Sequence, residues 1–142
     1  MTTPSGDKQS AEIDKQSAHV DIIKSRDAAH QTISQGVQEA HDAIIQTAQQ
    51  AHQTIKQSGV EDHVQDTMHE NVVDKKEKAH AKVTEAEETT KSDVDRSTRA
   101  AHAAVNEASQ EGGLAAGQTI KDVGNTANQA VIQVGDAAKQ TI

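Results

Sequence analysis

The chain of 142 residues contains no Phe, Trp, Tyr or Cys and has a single Pro. The lack of cysteine excludes disulfides and thiolate chemistry. Without aromatic side chains there is nothing on which nucleic-acid bases could stack, and 14 Lys and Arg are outnumbered by 22 Asp and Glu. We therefore expect no nucleic-acid partner, since such proteins need a positively charged surface to contact phosphates.

Long apolar runs are also missing. No stretch approaches the roughly 20 apolar residues of a membrane-spanning helix, and the start, MTTPSGDKQS, lacks the basic region and apolar core of a secretory signal. We therefore expect a cytoplasmic protein. Ten Ile, twelve Val and one Leu are the only large aliphatic residues besides two Met. This content is too low for a thick core and predicts thin helical contacts, or order acquired on assembly or at a surface.

The sequence contains an eleven-residue repeat instead. Histidines recur every eleven residues from His19 to His63, and after a step of six the spacing resumes at His69. Eleven residues over three turns is about 3.67 per turn, so repeated residues stay on nearly one side of an α-helix. The repeat predicts a narrow stripe of small and aliphatic residues, which we call the seam. Its predicted members are Ala18, Ile22, Ala29, Ile33, Ala40, Ile44, Ala51, Ile55, Val72, Ala79, Val83, Val94, Ala101, Val105, Ile120 and Val131.

This pattern predicts an all-α fold of long amphipathic helices with eleven-residue repeats, arranged like a coiled coil. The step of six and the nearby Ser58-Gly59 favour a turn, and hence an antiparallel helical hairpin followed by a third helix. The alternative is one long helix with a stutter, paired between chains. The predicted segments are a disordered N-terminus at 1–7, a first helix at 8–57, a turn at 58–66, a second helix at 67–110, a glycine break at 111–113 and a C-terminal amphipathic helix at 114–142.

The histidines are the candidate metal ligands. Successive histidines of one helix lie about 16.5 Å apart along its axis, whereas zinc needs its ligands at about 2 Å. No two of them on one helix can therefore share an ion. Only His63, Asp66 and His69, near the predicted turn, have a spacing that could converge on a metal.

A helical wheel puts the histidine position at the edge of the seam, which we call the rim. The predicted rim residues are His19, His30, His41, His52, His80 and His102. Protonation between pH 5 and 7 would add charge along this rim, and eight protonated histidines would cancel the net charge of -8. The rim is therefore either a pH-responsive association surface or a row of solvent-facing histidines produced by duplication of the repeat.

No motif for catalysis is present. The serines lack a GxSxG setting, and the glycines form neither GxGxxG nor a P-loop. We therefore expect no enzymatic activity, no cofactor and no small-molecule substrate.

The segment TAQQAHQTIKQ, Thr47 to Gln57, resembles the eleven-residue motif of group 3 late embryogenesis abundant proteins, which typically reads T-A-Q-A-A-K-E-K. Thr47, Ala48, Gln49 and Ala51 match, and His52 stands where the family usually has lysine. Such proteins are typically disordered in dilute water, become helical on drying or at surfaces, and protect proteins and membranes. The resemblance implies a non-enzymatic helical stress protectant.

Two other functions fit the same pattern. The first is a structural coiled-coil module that self-associates and responds to pH through its histidine rim. The second is binding to a lipid surface through residues 114–142, because eleven-residue repeats also let a helix lie flat with one apolar face down. Self-association is thus the expected interaction, and a membrane surface is the alternative partner.

Overall fold

The computed structural model describes residues 4–108 together with residues 125, 126 and 129. It contains two long α-helices, α1 (Pro4–Lys56) and α2 (Asp62–Ala108), and residues 4–108 include no β-strand. The predicted all-α fold with two long, mutually packed helices is confirmed. Of the predicted third helix at 114–142, residues 125, 126 and 129 are helical. Its remainder and the predicted glycine break at 111–113 lie outside the described residues.

The helix α1 begins earlier than predicted. It starts at Pro4, so residues 4–7, which we expected to be disordered, are helical. Proline favours the first position of a helix because its ring fixes φ near the helical value and its missing N–H would have no partner there. Within residues 4–108, neither helix has an apolar window long enough to cross a bilayer.

A five-residue turn, Gln57 to Glu61, separates the helices, so the alternative of one continuous helix is wrong. The end of α1 is closed by Ser58, whose backbone N–H and hydroxyl donate to the Ile55 carbonyl at 3.1 and 2.6 Å. Gly59 follows with a φ of 71°, in the left-handed region that glycine adopts without steric cost.

The turn is shorter than the predicted 58–66 because the polar segment EDHVQD starts α2. The Glu61 carbonyl accepts hydrogen bonds from the N–H groups of Val64 and Gln65 at 3.0 and 2.9 Å. Asp62 lies in the first turn, where a carboxylate is favoured by the partial positive charge of a helix N-terminus. Polar residues therefore begin the helix here rather than extend the loop.

We expect Gly59→Ala to lower the free energy of unfolding by about 1 kcal/mol, because an L side chain is disfavoured at positive φ. The loss is conformational, since an added Cβ has no atom within 4 Å. Gly59→Asn is the matched control and should lose less, because asparagine tolerates this region better than alanine. Urea unfolding followed by circular dichroism measures both, and equal losses would contradict a backbone origin.

The chain divides into two compact units. The first comprises Met1–Ile33 and Thr90–Ala127, and the second comprises Ser34–Thr89 and Asn128–Ile142. In the second unit, residues 34–56 of α1 and 62–89 of α2 form an antiparallel helical hairpin around the turn. The buried apolar residues of this hairpin are Val37, Ala40, Ile44, Ala48, Ile55, Val72, Ala79 and Val83.

In the first unit, residues 15–33 of α1 pair with residues 90–108 of α2. One cluster joins Ala18 and Ile22 to Ala101 and Val105, so each helix contributes one small and one larger side chain. The buried residues of this unit are Ala18, Ser25, Ile22, Ala29, Ile33, Thr90, Val94, Thr98, Ala101 and Val105. The hydroxyl of buried Thr98 donates to the Val94 carbonyl at 2.8 Å, so this polar group costs little to bury.

The buried face of each helix is narrow. Ile22 and Ile44 are fully buried, whereas the next residues, Ile23 and Ile45, are 40% and 38% exposed. A helix turns by about 100° per residue, which carries the neighbour off the contact face. All of the predicted seam residues from Ala18 to Val105 are buried except Ala51, which is half-buried and packs against Ala48, Ile55 and Val72. Ile120 and Val131 lie outside the described residues.

Candidate functional site: histidine pairs between the helices

Two histidine pairs join the helices in the second unit. The Nδ1 atoms of His41 and His80 lie 2.6 Å apart, and those of His52 and His69 lie 2.6 Å apart as well. The ring centroids are 4.8 Å apart in both pairs. His41 and His80 each follow a buried alanine, which puts their rings at the rim of the seam, half-buried and within reach of water.

The first unit contains one pair of the same geometry. The Nδ1 atoms of His19 and His102 lie 2.6 Å apart, with ring centroids at 4.8 Å. His19 also has a second partner, because its Nε2 lies 3.1 Å from Oδ1 of Asn106. The amide oxygen can only accept a hydrogen bond, so Nε2 of His19 donates.

This contact fixes the proton arrangement of the pair. With its hydrogen on Nε2, a neutral His19 has a lone pair on Nδ1 and accepts the hydrogen bond that Nδ1–H of His102 donates. A distance of 2.6 Å between two nitrogens accommodates one hydrogen. A second one would set two N–H donors against each other and add a second positive charge. The pair geometry is therefore compatible with neutral rings or with one shared proton.

The surroundings lower the pKa of one ring in each pair. Burial is the largest cause of the lowered pKa of His52, His80 and His102, and the charge of the opposing ring is the second. Nearby cations lower these pKa values further. Lys76 acts on His52 and His80, Lys56 acts on His52, and Arg26 acts on His102. The closed helices thus favour the neutral form of these three rings.

His30 has a carboxylate partner instead of a ring. Its Nε2 lies 2.7 Å from Oδ1 of Asp95, and the two side chains are 28% and 50% exposed. The repeat position equivalent to His80 and His102 is occupied by Lys91. His30 and Asp95 therefore join α1 to α2 in the first unit without a second ring.

The structure does not bring His63, Asp66 and His69 together. His63 is exposed, with Nδ1 3.5 Å from Oε2 of Glu61, and the ring of His69 contacts His52. Among the residues that the structure describes, no group of three or more His, Cys, Asp or Glu side chains could hold a metal ion.

The six predicted rim residues are all half-buried at the helix contact, but the sequence reasoning did not predict that the rings pair with one another. It also missed His69, Asp95 and Asn106 as partners. A signal for the pairing exists: in an antiparallel hairpin, residues equally far from the turn face each other. Once the turn is centred near residue 60, His52 falls opposite His69 and His41 opposite His80.

No family model, curated protein or solved structure matches this chain.

Proposed function

We propose that this chain is a non-enzymatic structural module of coiled-coil type, whose helices pair within the chain and whose closure responds to pH through the histidine pairs. The observation that carries the proposal is the coverage of the α1 seam by α2 in each unit. Ala18 and Ile22 pack against Ala101 and Val105 in the first. In the second, Ala48 and Ile55 pack against Val72.

The proposal includes no catalysis because the sequence has neither a GxSxG nucleophile setting nor a phosphate-binding glycine motif. In the three pairs, Nδ1 of each ring faces Nδ1 of a ring on the other helix, so this nitrogen joins the two helices.

Self-association is a consequence of the same seam. If the turn from Gln57 to Glu61 straightens, two chains can exchange helices and form the same contacts between molecules. A closed monomer and an exchanged dimer then share one set of histidine pairs. They differ in mass and in how the melting temperature depends on protein concentration.

The test is circular dichroism in dilute buffer at pH 8, together with the solution mass from light scattering. A structural module gives high helicity and a cooperative melt. The melting temperature of a closed monomer does not depend on protein concentration, whereas that of an exchanged dimer rises with protein concentration. Low helicity in dilute buffer would refute the structural module.

A stress protectant is the second candidate, and the thinness of the core favours it. The largest fully buried side chains among the described residues are Ile22, Ile33, Ile44, Val83 and Val94, with no aromatic residue to add contact area. A helix pair with so little buried surface opens at low cost. The freed seam could then cover another apolar surface when water is withdrawn.

The protectant hypothesis predicts low helicity in dilute buffer and higher helicity on drying or in trifluoroethanol. It also predicts that the chain preserves the activity of a labile enzyme through drying, and that Ile44→Lys removes this effect while Ile45→Lys retains it. Equal protection by both variants would exclude the seam as the protective surface. The lipid-surface alternative depends on residues 114–142 and predicts helicity that appears only with vesicles.

A further inference from the structure

We propose that the three histidine pairs are binding sites for a divalent transition-metal ion such as Zn²⁺, which bridges α1 and α2 within each unit. The inference goes beyond the proposed structural role and rests on the helix pairing within the chain that this role proposes. The sites are His41 with His80, His52 with His69, and His19 with His102. In each, the two imidazole nitrogens that face each other come from different helices.

The geometry needs only a small adjustment to accept a metal. Zinc binds imidazole nitrogen at about 2.0–2.1 Å, so two nitrogens on a tetrahedral ion are about 3.3 Å apart. The nitrogens of each pair are 2.6 Å apart, and the rings must separate by about 0.7 Å to reach this value. The rings are half-buried at the rim, so an ion can enter from solvent and keep water in its other coordination positions.

The tautomers required for binding are accessible. Coordination uses the Nδ1 lone pairs of both rings, so the hydrogen between them must leave while the donor ring takes one up at Nε2, with no net release of protons from a neutral pair. His19 is already in the required form, because its Nε2 donates to Oδ1 of Asn106. Such a hydrogen bond on the remote nitrogen orients a metal-binding histidine and fixes its tautomer.

Neighbouring cations are expected to lower the metal affinity of these sites. Lys76 bears on the pairs of His52 and His80, Lys56 bears on His52, and Arg26 bears on His102. Each cation repels a metal ion. We therefore expect Lys76→Gln to tighten both sites of the second unit. These two sites are separated by eleven residues of helix, about 16.5 Å, so each binds its own ion.

The ligand count sets the type of metal. No described cluster offers three or more ligating side chains, so each pair supplies two nitrogens and water supplies the rest. Imidazole ligands suit Zn²⁺, Ni²⁺ and Cu²⁺, and affinity follows the order in which Cu²⁺ binds most tightly. The sites are thus weaker than a four-ligand structural zinc site and depend on metal concentration.

The first experiment titrates Zn²⁺ into the full chain at pH 7.5 by calorimetry and records thermal melts by circular dichroism. We expect three ions per chain and a rise in Tm of about 5 °C or more at saturation, because the metal binds only the closed helices. Removing one ring from each pair, with His19→Gln, His41→Gln and His52→Gln together, should abolish both effects. His63→Gln is the matched control, since this exposed ring has no ring partner, and should change neither.

A second variant adds a metal site instead of removing one. Its result can therefore be interpreted even if the triple variant fails to fold. Lys91→His puts a ring at the repeat position opposite His30, with Asp95 four residues along the same face of α2. We expect a fourth Zn²⁺ per chain, bound more tightly because the new site has three ligands. X-ray absorption of the zinc-loaded wild type should show two imidazole nitrogens per ion.

The proposal is overturned if Zn²⁺ does not bind the wild-type chain, if the triple variant binds as well as the wild type, or if Lys91→His leaves the stoichiometry at three. Helicity measured without metal tests the structural module separately. A chain that is highly helical but does not bind Zn²⁺ would contradict the metal sites and leave the structural module standing.

Discussion

Ile44→Ala is expected to lower the free energy of unfolding of the second unit by about 2–5 kcal/mol, the usual range for removing a large aliphatic side chain from a core. Ile44 is fully buried and belongs to a narrow seam. The buried apolar side chains of the described hairpin are all Ala, Val or Ile, so we expect the space left by the removed atoms to stay largely unfilled. A loss of this size is a large share of the stability of any domain, so the hairpin is expected to open well below the melting temperature of the wild type.

Ile45→Ala is the matched control. It removes the same atoms from the adjacent position and gives the same gain in helix propensity, but Ile45 is 38% exposed. We expect a change within about 0.5 kcal/mol, with a slight gain if propensity prevails. Urea unfolding followed at 222 nm compares the two. Similar losses for both variants would mean that the seam does not hold the helices together.

Acidification from pH 8 to pH 5 is expected to lower the melting temperature of the helix pair. The pKa values of His52, His80 and His102 lie below the ordinary 6.5 in the closed helices, chiefly because of burial. As the pH falls through 6.5, these three histidines bind protons in the unfolded chain before they do so in the folded chain. Unfolding is then favoured by mass action, and the full stability contributed by these rings is present only above their unfolded pKa.

One effect opposes this loss. Protonation of histidines reduces the net charge of -8 and with it the self-repulsion of the chain. The pairs can be isolated by comparison: His41→Asn with His80→Asn should flatten the dependence of Tm on pH, whereas His63→Asn should leave it unchanged. A wild-type melting temperature that rises on acidification would show that the opposing charges prevail over the pairs.

Much of the site was within reach of sequence reasoning, and its chemistry was not. A helical wheel puts His41 and His52 at the rim, because the angle around the helix axis between each histidine and the alanine before it is the same in any α-helix. The expectation that no ion could be shared considered only successive histidines of one helix. The structure instead joins rings from different helices at 2.6 Å. The turn boundary was misjudged at Asp62, because the same polar residues favour a loop and a helix N-terminus.

The sequence by itself determined that the described chain is helical and which residues occupy the seam, because both follow from a spacing that repeats within each helix. The tertiary structure decided which histidine meets which. That choice depends on the length of the turn and the register of the antiparallel helices, which place residues distant in sequence side by side. It also decided that His30 contacts Asp95 while His41 contacts His80. The lowered pKa values follow from this arrangement, because desolvation and the charge of a facing ring arise only when the helices have closed.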